Sequence, residues 1–191
     1  MPRGRGQLIA VAGPSGVGKS TVVRRVVELR PEVWLSVSAT TRDPRPGEQN
    51  GIDYLFLKTE AFDQLQTSNG LLESAEYGGN RYGTPREPVE AHLVAGDDVL
   101  LEIDVQGVRQ VQEALSGASA VFIAPPSWEA LKNRLVARGT EDEDSLLRRL
   151  AVAEREMSAQ PEFDSVLINA DVDETATRLL RWIDQLHEIH R

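Results

Sequence analysis

The sequence predicts an α/β fold, a parallel sheet core flanked by helices with a strand-rich segment inserted into it. Three observations carry this. Short apolar runs rich in β-branched residues alternate with amphipathic stretches along most of the 191 residues, the order that builds a parallel sheet. A glycine-rich loop, GPSGVGKS at 13–20, joins the first apolar run to the first amphipathic stretch. Between about 37 and 84 the alternation lapses, and strand-like runs separated by turn residues take its place.

The elements follow in order. QLIAVA (7–12) reads as a buried strand, and 20–29 as a helix with Val22, Val23, Val26, Val27 and Leu29 apolar, stopped by Pro31. VWLSVSATT (33–41) is strand-like, DPRPGEQNG (43–51) a turn-rich loop and DYLFL (53–57) an alternating strand. A short helix over 59–67 precedes strands around tight turns within 69–85. Glu87 to Ala95 reads as a helix capped by Gly96, and DVLLEID (98–104) as a buried strand ending on an acid. A helix over 106–115, a strand at 120–124 and a helix from N-cap Ser127 to about Arg138-Gly139 come next. Glu141 to Met157 reads as a long helix, SVLINA (165–170) as the last strand and Asp173 to Ile189 as the last helix.

Composition narrows the function. With 40% hydrophobic residues and 27% charged, the chain can bury a core as one domain. It has no cysteine, so thiol chemistry, thiolate metal sites and disulfides are excluded, and a cytoplasmic location is expected. No apolar run reaches the roughly 18 residues of a membrane span, and the N-terminus has no secretory core; no membrane partner is expected. A net charge of -9 argues against nucleic acid as the partner of the whole surface. It leaves room for a small anionic ligand held by a local arginine cluster.

GPSGVGKS matches G-x-x-x-x-G-K-[ST] between a predicted strand and a predicted helix. The glycines let the backbone curl its N–H groups inward, and the helix N-terminus adds positive potential. In this pattern Gly13 to Ser20, with Thr21 beyond, holds a nucleoside triphosphate. Lys19 reaches the β- and γ-phosphates and the Ser20 hydroxyl ligates Mg2+. Three uses remain open at this point: hydrolysis, transfer to a small acceptor, or binding alone. No N-K-x-D base-reading motif is present, against a GTPase. Arg42 and Arg45, three residues apart on a turn stiffened by Pro44 and Pro46, suit phosphate oxygens. Tyr54 and Tyr82 offer hydroxyls. Arg134 and Arg138 share a helix face, and Arg148 and Arg149 follow on the next helix, past Gly139 and a charged turn read as a hinge. His92, His187 and His190 lie outside these motifs and read as structural or exposed.

The segments SVSATTRDPRPGEQNGIDYLF, LLESAEYGGNRYGTPRE, LEIDVQGVRQV and LKNRLVARGTEDEDSLLRRL, with GPSGVGKS before them, resemble the guanylate kinase family in kind and order over nearly the whole chain. The resemblance implies a P-loop NTPase-type core (about 6–36, 85–138 and 158–191), a GMP-binding subdomain (about 37–84) and a small helical lid (about 139–157). It implies Mg-dependent phosphoryl transfer from ATP to GMP by a monomer or small homo-oligomer. It implies that Arg42, Arg45, Tyr54 and Tyr82 hold the GMP phosphate, and that Ser38, Glu73 and Thr84 face the guanine. Asp104 lies near the acceptor and the metal's water shell. Arg134, Arg138 and Arg149 close on the transferring phosphates with Lys19, and Asn169 lies near the adenine. The chemistry agrees for Glu73: an ionised carboxylate matches guanine's adjacent N1–H and NH2 donors and repels adenine's N1 lone pair. Arg81 stands where the family often has a second aromatic, and the Glu141-Asp142-Glu143-Asp144 run makes the lid unusually acidic. The rival reading is a non-catalytic domain of this fold that binds a phosphopeptide. Such domains usually lack a working P-loop, and Lys19, Ser20 and the lid arginines are present here.

Overall fold

The protein is described by a computed structural model covering residues 5–137 and 143–189. Nine strands and seven α-helices run in the order β1 (Leu8–Ala12), α1 (Lys19–Leu29), β2 (Trp34–Leu35), β3 (Ala39–Thr40), β4 (Leu55–Phe56), α2 (Thr59–Thr67), β5 (Leu71–Tyr77), β6 (Asn80–Pro85), α3 (Arg86–Ala95), β7 (Val99–Glu102), α4 (Val105–Ala114), β8 (Ser119–Ala124), α5 (Trp128–Ala137), α6 (Glu143–Ser158), β9 (Ser165–Ile168) and α7 (Val172–Ile189) among the described residues.

The large sheet has the order β2-β7-β1-β8-β9, and every pairing in it is parallel. Its centre, β1, is buried at every residue, which is why LIAVA is apolar without alternation. Ile9 and Val11 face one core, shared with Val22, Val23 and Val26 of α1 and Leu179, Ile183 and Leu186 of α7. Leu8, Ala10 and Ala12 face the other, with Val89 and Leu93 of α3 and Val108 and Val111 of α4. The chain leaves β1 between β7 and β8, and such a switch point opens a crevice at the carboxyl ends of parallel strands.

The smaller sheet is mixed, in the order β4-β3-β6-β5. Phe62 of α2, fully buried, packs with Ala39 and Leu71 on one face of it. Arg81 binds α2 from β6: its guanidinium donates to Asp63 at 2.6 Å and lies 4.8 Å from the Phe62 ring centroid.

Two predicted strands are corrected. The run 33–41 is not one strand. Trp34 and Leu35 pair with β7, and Ala39 and Thr40 pair with β4 and β6. The chain crosses from one sheet to the other at Ser36 to Ser38, where β-branched alternation continues although the partners change. The strand expected over 53–57 contracts to Leu55–Phe56, because Tyr54 makes only an isolated bridge to Asn50. The acid ending the run 98–104 divides in two: β7 stops at Glu102, and Asp104 N-caps α4 by accepting from the Gly107 N–H at 2.7 Å. Ser127 caps α5 as expected, accepting from Ala130.

Candidate active site

The loop between β1 and α1 is glycine-rich for steric reasons specific to each position. A Cβ on Gly13, at φ +149°, would sit 2.2 Å from the Ile123 carbonyl oxygen of β8. On Gly18, at φ +99°, it would meet Asn169 Nδ2 at 2.8 Å. Gly18 is also the N-cap of α1 and supplies no capping side chain, which leaves the first N–H groups of the helix to a ligand. Lys19 Nζ donates to the carbonyls of Gly13 (2.6 Å) and Pro14 (3.4 Å). The Ser20 hydroxyl donates to Glu102 Oε1 at 2.6 Å. A cavity of about 260 Å³ opens here, lined by Ser15, Gly16, Gly18, Lys19, Ser20, Thr21, Glu102 and Glu156.

The back of the loop is pinned. Val17 is fully buried in the core, and its carbonyl accepts from Asn169 Nδ2 at 2.8 Å and from Arg134 Nη1 at 2.9 Å. Arg134 Nη2 donates to the Asn169 carbonyl, and Thr175 Oγ1 donates to Asn169 Oδ1. Asn169, at 3% exposure, thus ties the loop to the end of β9 and the start of α7. Arg134, expected on the transferring phosphates, donates in this structure to these two backbone carbonyls. Arg149 reaches the loop from α6, donating to Ser15 Oγ at 3.2 Å. Arg138 lies outside the described residues, as does His190.

The smaller sheet carries the second group of expected site residues. Glu73 on β5 lies opposite Thr84 on β6 in register, and Thr84 Oγ1 donates to Glu73 Oε1 at 2.7 Å. Glu73 is 6% exposed and Thr84 1%. Burial pushes the Glu73 carboxyl up to about 7, with Thr84 opposing and the Asp104 charge adding to the rise. Gly107 lets α4 approach, since a Cβ there would stand 3.0 Å from Glu73 Oε2. Gln110 completes the edge of β5 by accepting from the Ser74 N–H and donating to the Ser74 carbonyl.

Arg42, Tyr54 and Tyr82 converge beside this pair. Arg42 Nη2 donates to Glu48 Oε1 at 2.9 Å, and its guanidinium lies 5.5 Å from the Tyr54 ring centroid. Tyr54 and Tyr82 meet edge to face at 6.0 Å. Glu48 Oε2 also accepts from the Arg45 N–H at 2.7 Å, so one carboxylate sets the turn carrying both arginines. The Arg45 residue itself is exposed. The Arg42 guanidinium holds the Glu48 carboxyl below its ordinary range. Burial, then the charge of Glu102, raises the Tyr54 phenol. Ser38, one residue before β3, is half-buried and accepts from the Leu55 N–H through its carbonyl.

Three contributors are absent from the sequence reading: Glu48, Glu102 and Glu156. Glu102 is set by register, because Val11, two residues before the loop, pairs with it. His92 stacks on Trp34 at 4.0 Å and His187 bonds to Asp98 at 2.9 Å, both away from the loop and the Glu73–Thr84 pair.

Truncating Arg42 to alanine is expected to raise the Michaelis constant for a phosphate-bearing acceptor about 30-fold, the size of one charge-assisted hydrogen bond. Steady-state kinetics with kcat read separately checks this; an unchanged constant would place the acceptor phosphate elsewhere.

Comparison with known proteins agrees with this geometry. The family model "Guanylate kinase" matches residues 5–186. The guanylate kinase of Streptomyces kasugaensis is 55% identical over 179 residues, covering 94% of this chain and 87% of that protein. That of Thermobifida fusca is 55% identical over 177 residues, covering 93% and 90%. The crystal structure of guanylate kinase from Anaplasma phagocytophilum superposes with a TM-score of 0.79 at 34% identity, over 97% of this chain and 88% of that one. A P-loop carrying Lys19 and Ser20, a facing sheet carrying the buried Glu73–Thr84 pair, and likeness along nearly the full length lead to one conclusion: the chain belongs to the guanylate kinase family, the ATP:GMP phosphotransferases.

Proposed function

We propose that the two halves of the cleft divide the reaction between them, ATP on the glycine-rich loop and GMP on the smaller sheet. The observation that supports this is the buried Glu73–Thr84 pair, set beside Gly107 of α4 close to Asp104. An ionised Glu73 accepts from guanine N1–H and NH2, while Thr84 and Ser38 complete the base pocket. Arg42, Arg45, Tyr54 and Tyr82 take the GMP phosphate. Residues 37–84 act as the GMP-binding subdomain and 139–157 as the lid, hung on a core of 6–36, 85–138 and 158–191. Both nucleotide sites come from one chain, so a monomer suffices.

Lys19 leaves the Gly13 and Pro14 carbonyls and reaches the β- and γ-phosphates when ATP binds. A GMP phosphate oxygen attacks the γ-phosphorus, the bond from that phosphorus to the ADP oxygen breaks, and GDP and ADP result. No general base is needed, because the attacking oxygen is ionised near neutral pH. Lys19, Arg149 and Arg138 spread positive charge over the equatorial oxygens. Arg134 and Asn169 hold the loop in shape from behind, with Asn169 on the adenine side.

The Ser20 hydroxyl and Glu102 carboxylate, 2.6 Å apart, are two hard oxygens at the phosphate end of the cavity. Mg2+ takes one or two protein oxygens and fills the rest of its octahedron with phosphate oxygens and water, so the pair fits this ion. When bound, Mg2+ neutralises charge on the β- and γ-phosphates. Among the described residues no helix is long and apolar enough to cross a membrane; we propose a cytoplasmic enzyme.

The test is a coupled assay of ADP release with ATP and Mg2+ against GMP, AMP, CMP and UMP in turn. Turnover with GMP alone is expected. Equal turnover with AMP would overturn the role of Glu73. No turnover with any acceptor, together with retained phosphopeptide binding, would favour the scaffold reading.

A further inference from the structure

Two side chains of α6 grip one residue of the P-loop. Arg149 Nη2 donates to Ser15 Oγ at 3.2 Å, and Glu156 Oε2 accepts from the Ser15 N–H at 3.3 Å. They are seven residues apart, two helical turns, and so lie on one face of α6. Glu156 also lines the 260 Å³ cavity with Lys19 and Ser20. The Ser15 N–H belongs to the loop whose amides are turned toward phosphate in this motif. A carboxylate of α6 therefore already takes up an N–H of the loop, the kind of donor that phosphate uses in this motif.

We propose that Glu156 is an internal stand-in for phosphate, which the triphosphate must displace, so that nucleotide arrival and release of α6 from the loop are one exchange of anions. The inference rests on the reading that this loop takes ATP. The carboxylate and the nucleotide compete for the same N–H and for the field of Lys19, and two anions cannot share them without repulsion. Burial raises the Glu156 carboxyl, while Lys19 and the Ser15 N–H act in the opposite sense. The Lys19 charge thus reaches the Glu156 carboxylate. Once Glu156 leaves, Arg149 retains its place on the same helix face and exchanges the Ser15 hydroxyl for a phosphate oxygen. When ADP departs, Glu156 returns, and the loop is never without an anion. Glu156 is on this account a positioning residue; it touches the loop and competes with the substrate.

The experiment is calorimetric titration of the nucleotide-free protein with ADP in the presence of a chelator, which removes any contribution of a metal. GMP is titrated in parallel. E156Q keeps the shape and an acceptor oxygen but removes the charge; E156A removes both and covers the case in which the glutamine variant does not fold. Both are expected to bind ADP about tenfold more tightly than the wild type, within the usual range of coupling between a ligand and an internal contact, with GMP affinity unchanged. Unchanged or weaker ADP binding in both variants would overturn the exchange. Tighter binding of ADP and GMP alike would also overturn it, since a general structural change moves both. A wild type that binds no ADP at all would instead defeat the reading of the loop as an ATP site.

Discussion

Lys19→Ala is expected to lower kcat by about 10³-fold while leaving the Michaelis constant for GMP nearly unchanged, because the ammonium acts on charge that develops in transfer. The structure explains why the loss should fall on turnover rather than on folding. Nζ donates to the Gly13 and Pro14 carbonyls, whereas the loop's shape is held from behind by Asn169 and Arg134 on the Val17 carbonyl. Removing Lys19 deletes the 2.6 Å bond to Gly13, worth about 1 kcal/mol, and leaves those clamps intact. Steady-state and single-turnover rates with a thermal melt alongside check this. A raised GMP constant with unchanged kcat would mean that Lys19 serves binding alone.

Glu73→Gln should move stability and activity in opposite directions. The folded protein holds this carboxyl at about 7, above its ordinary 4.5. The fold therefore favours the protonated form. The favourable contribution is complete below about 4.5 and is lost as pH rises through about 7. At pH 8 the ionised carboxylate costs up to about 3 kcal/mol, at about 1.4 kcal/mol per pKa unit. Glutamine keeps an acceptor for Thr84 and carries no charge, so the variant should melt up to roughly 8 °C higher at pH 8 for a chain of this length, and only slightly higher near pH 4.5. The same change presents an NH2 donor to guanine's donors. The expected loss in kcat/KM for GMP is about 10²-fold, with the preference for GMP over AMP falling alongside it. In the wild type the GMP constant should rise as pH falls below 7. In the variant only the pH dependence of GMP's own phosphate, near 6, should remain. A variant that gains no stability at pH 8, or that keeps full GMP preference, would refute the assignment.

The periodic parts of the fold were legible because burial on both faces leaves an unmistakable run, as in LIAVA and AVFIA. The P-loop was legible because its glycines answer steric demands that no other residue meets, 2.2 Å from Ile123 at Gly13 being the plainest. What stayed hidden depends on which strand lies beside which. Trp34 and Thr40 share one β-branched run, and only the partners, β7 for the first and β4 and β6 for the second, reveal two strands. Glu102 and Asp104 are equally acidic in sequence. Register sends the first to Ser20 and helix capping sends the second to Gly107. The bonds from Arg134 to the Val17 and Asn169 carbonyls were equally hidden, since they join α5 to two distant segments. Glu156 lies 141 residues from the loop it touches, and no local pattern marks it.

The crossing at Ser36 to Ser38 bears on how such a chain can change. β3 and β6 pair antiparallel, Ala39 with Gly83, so the polypeptide enters and leaves the smaller sheet at neighbouring points, about 5 Å apart as paired strands are. A segment whose ends meet in this way leaves its host through one narrow neck, Ala39 beside Gly83. The smaller sheet is thus joined to the large one at two neighbouring points of the chain. A strand pair set into the same two points would have to match the face of α4 that meets Leu72, the Gln110 contact with Ser74 and the Arg86 contacts with Asn69 and Leu71.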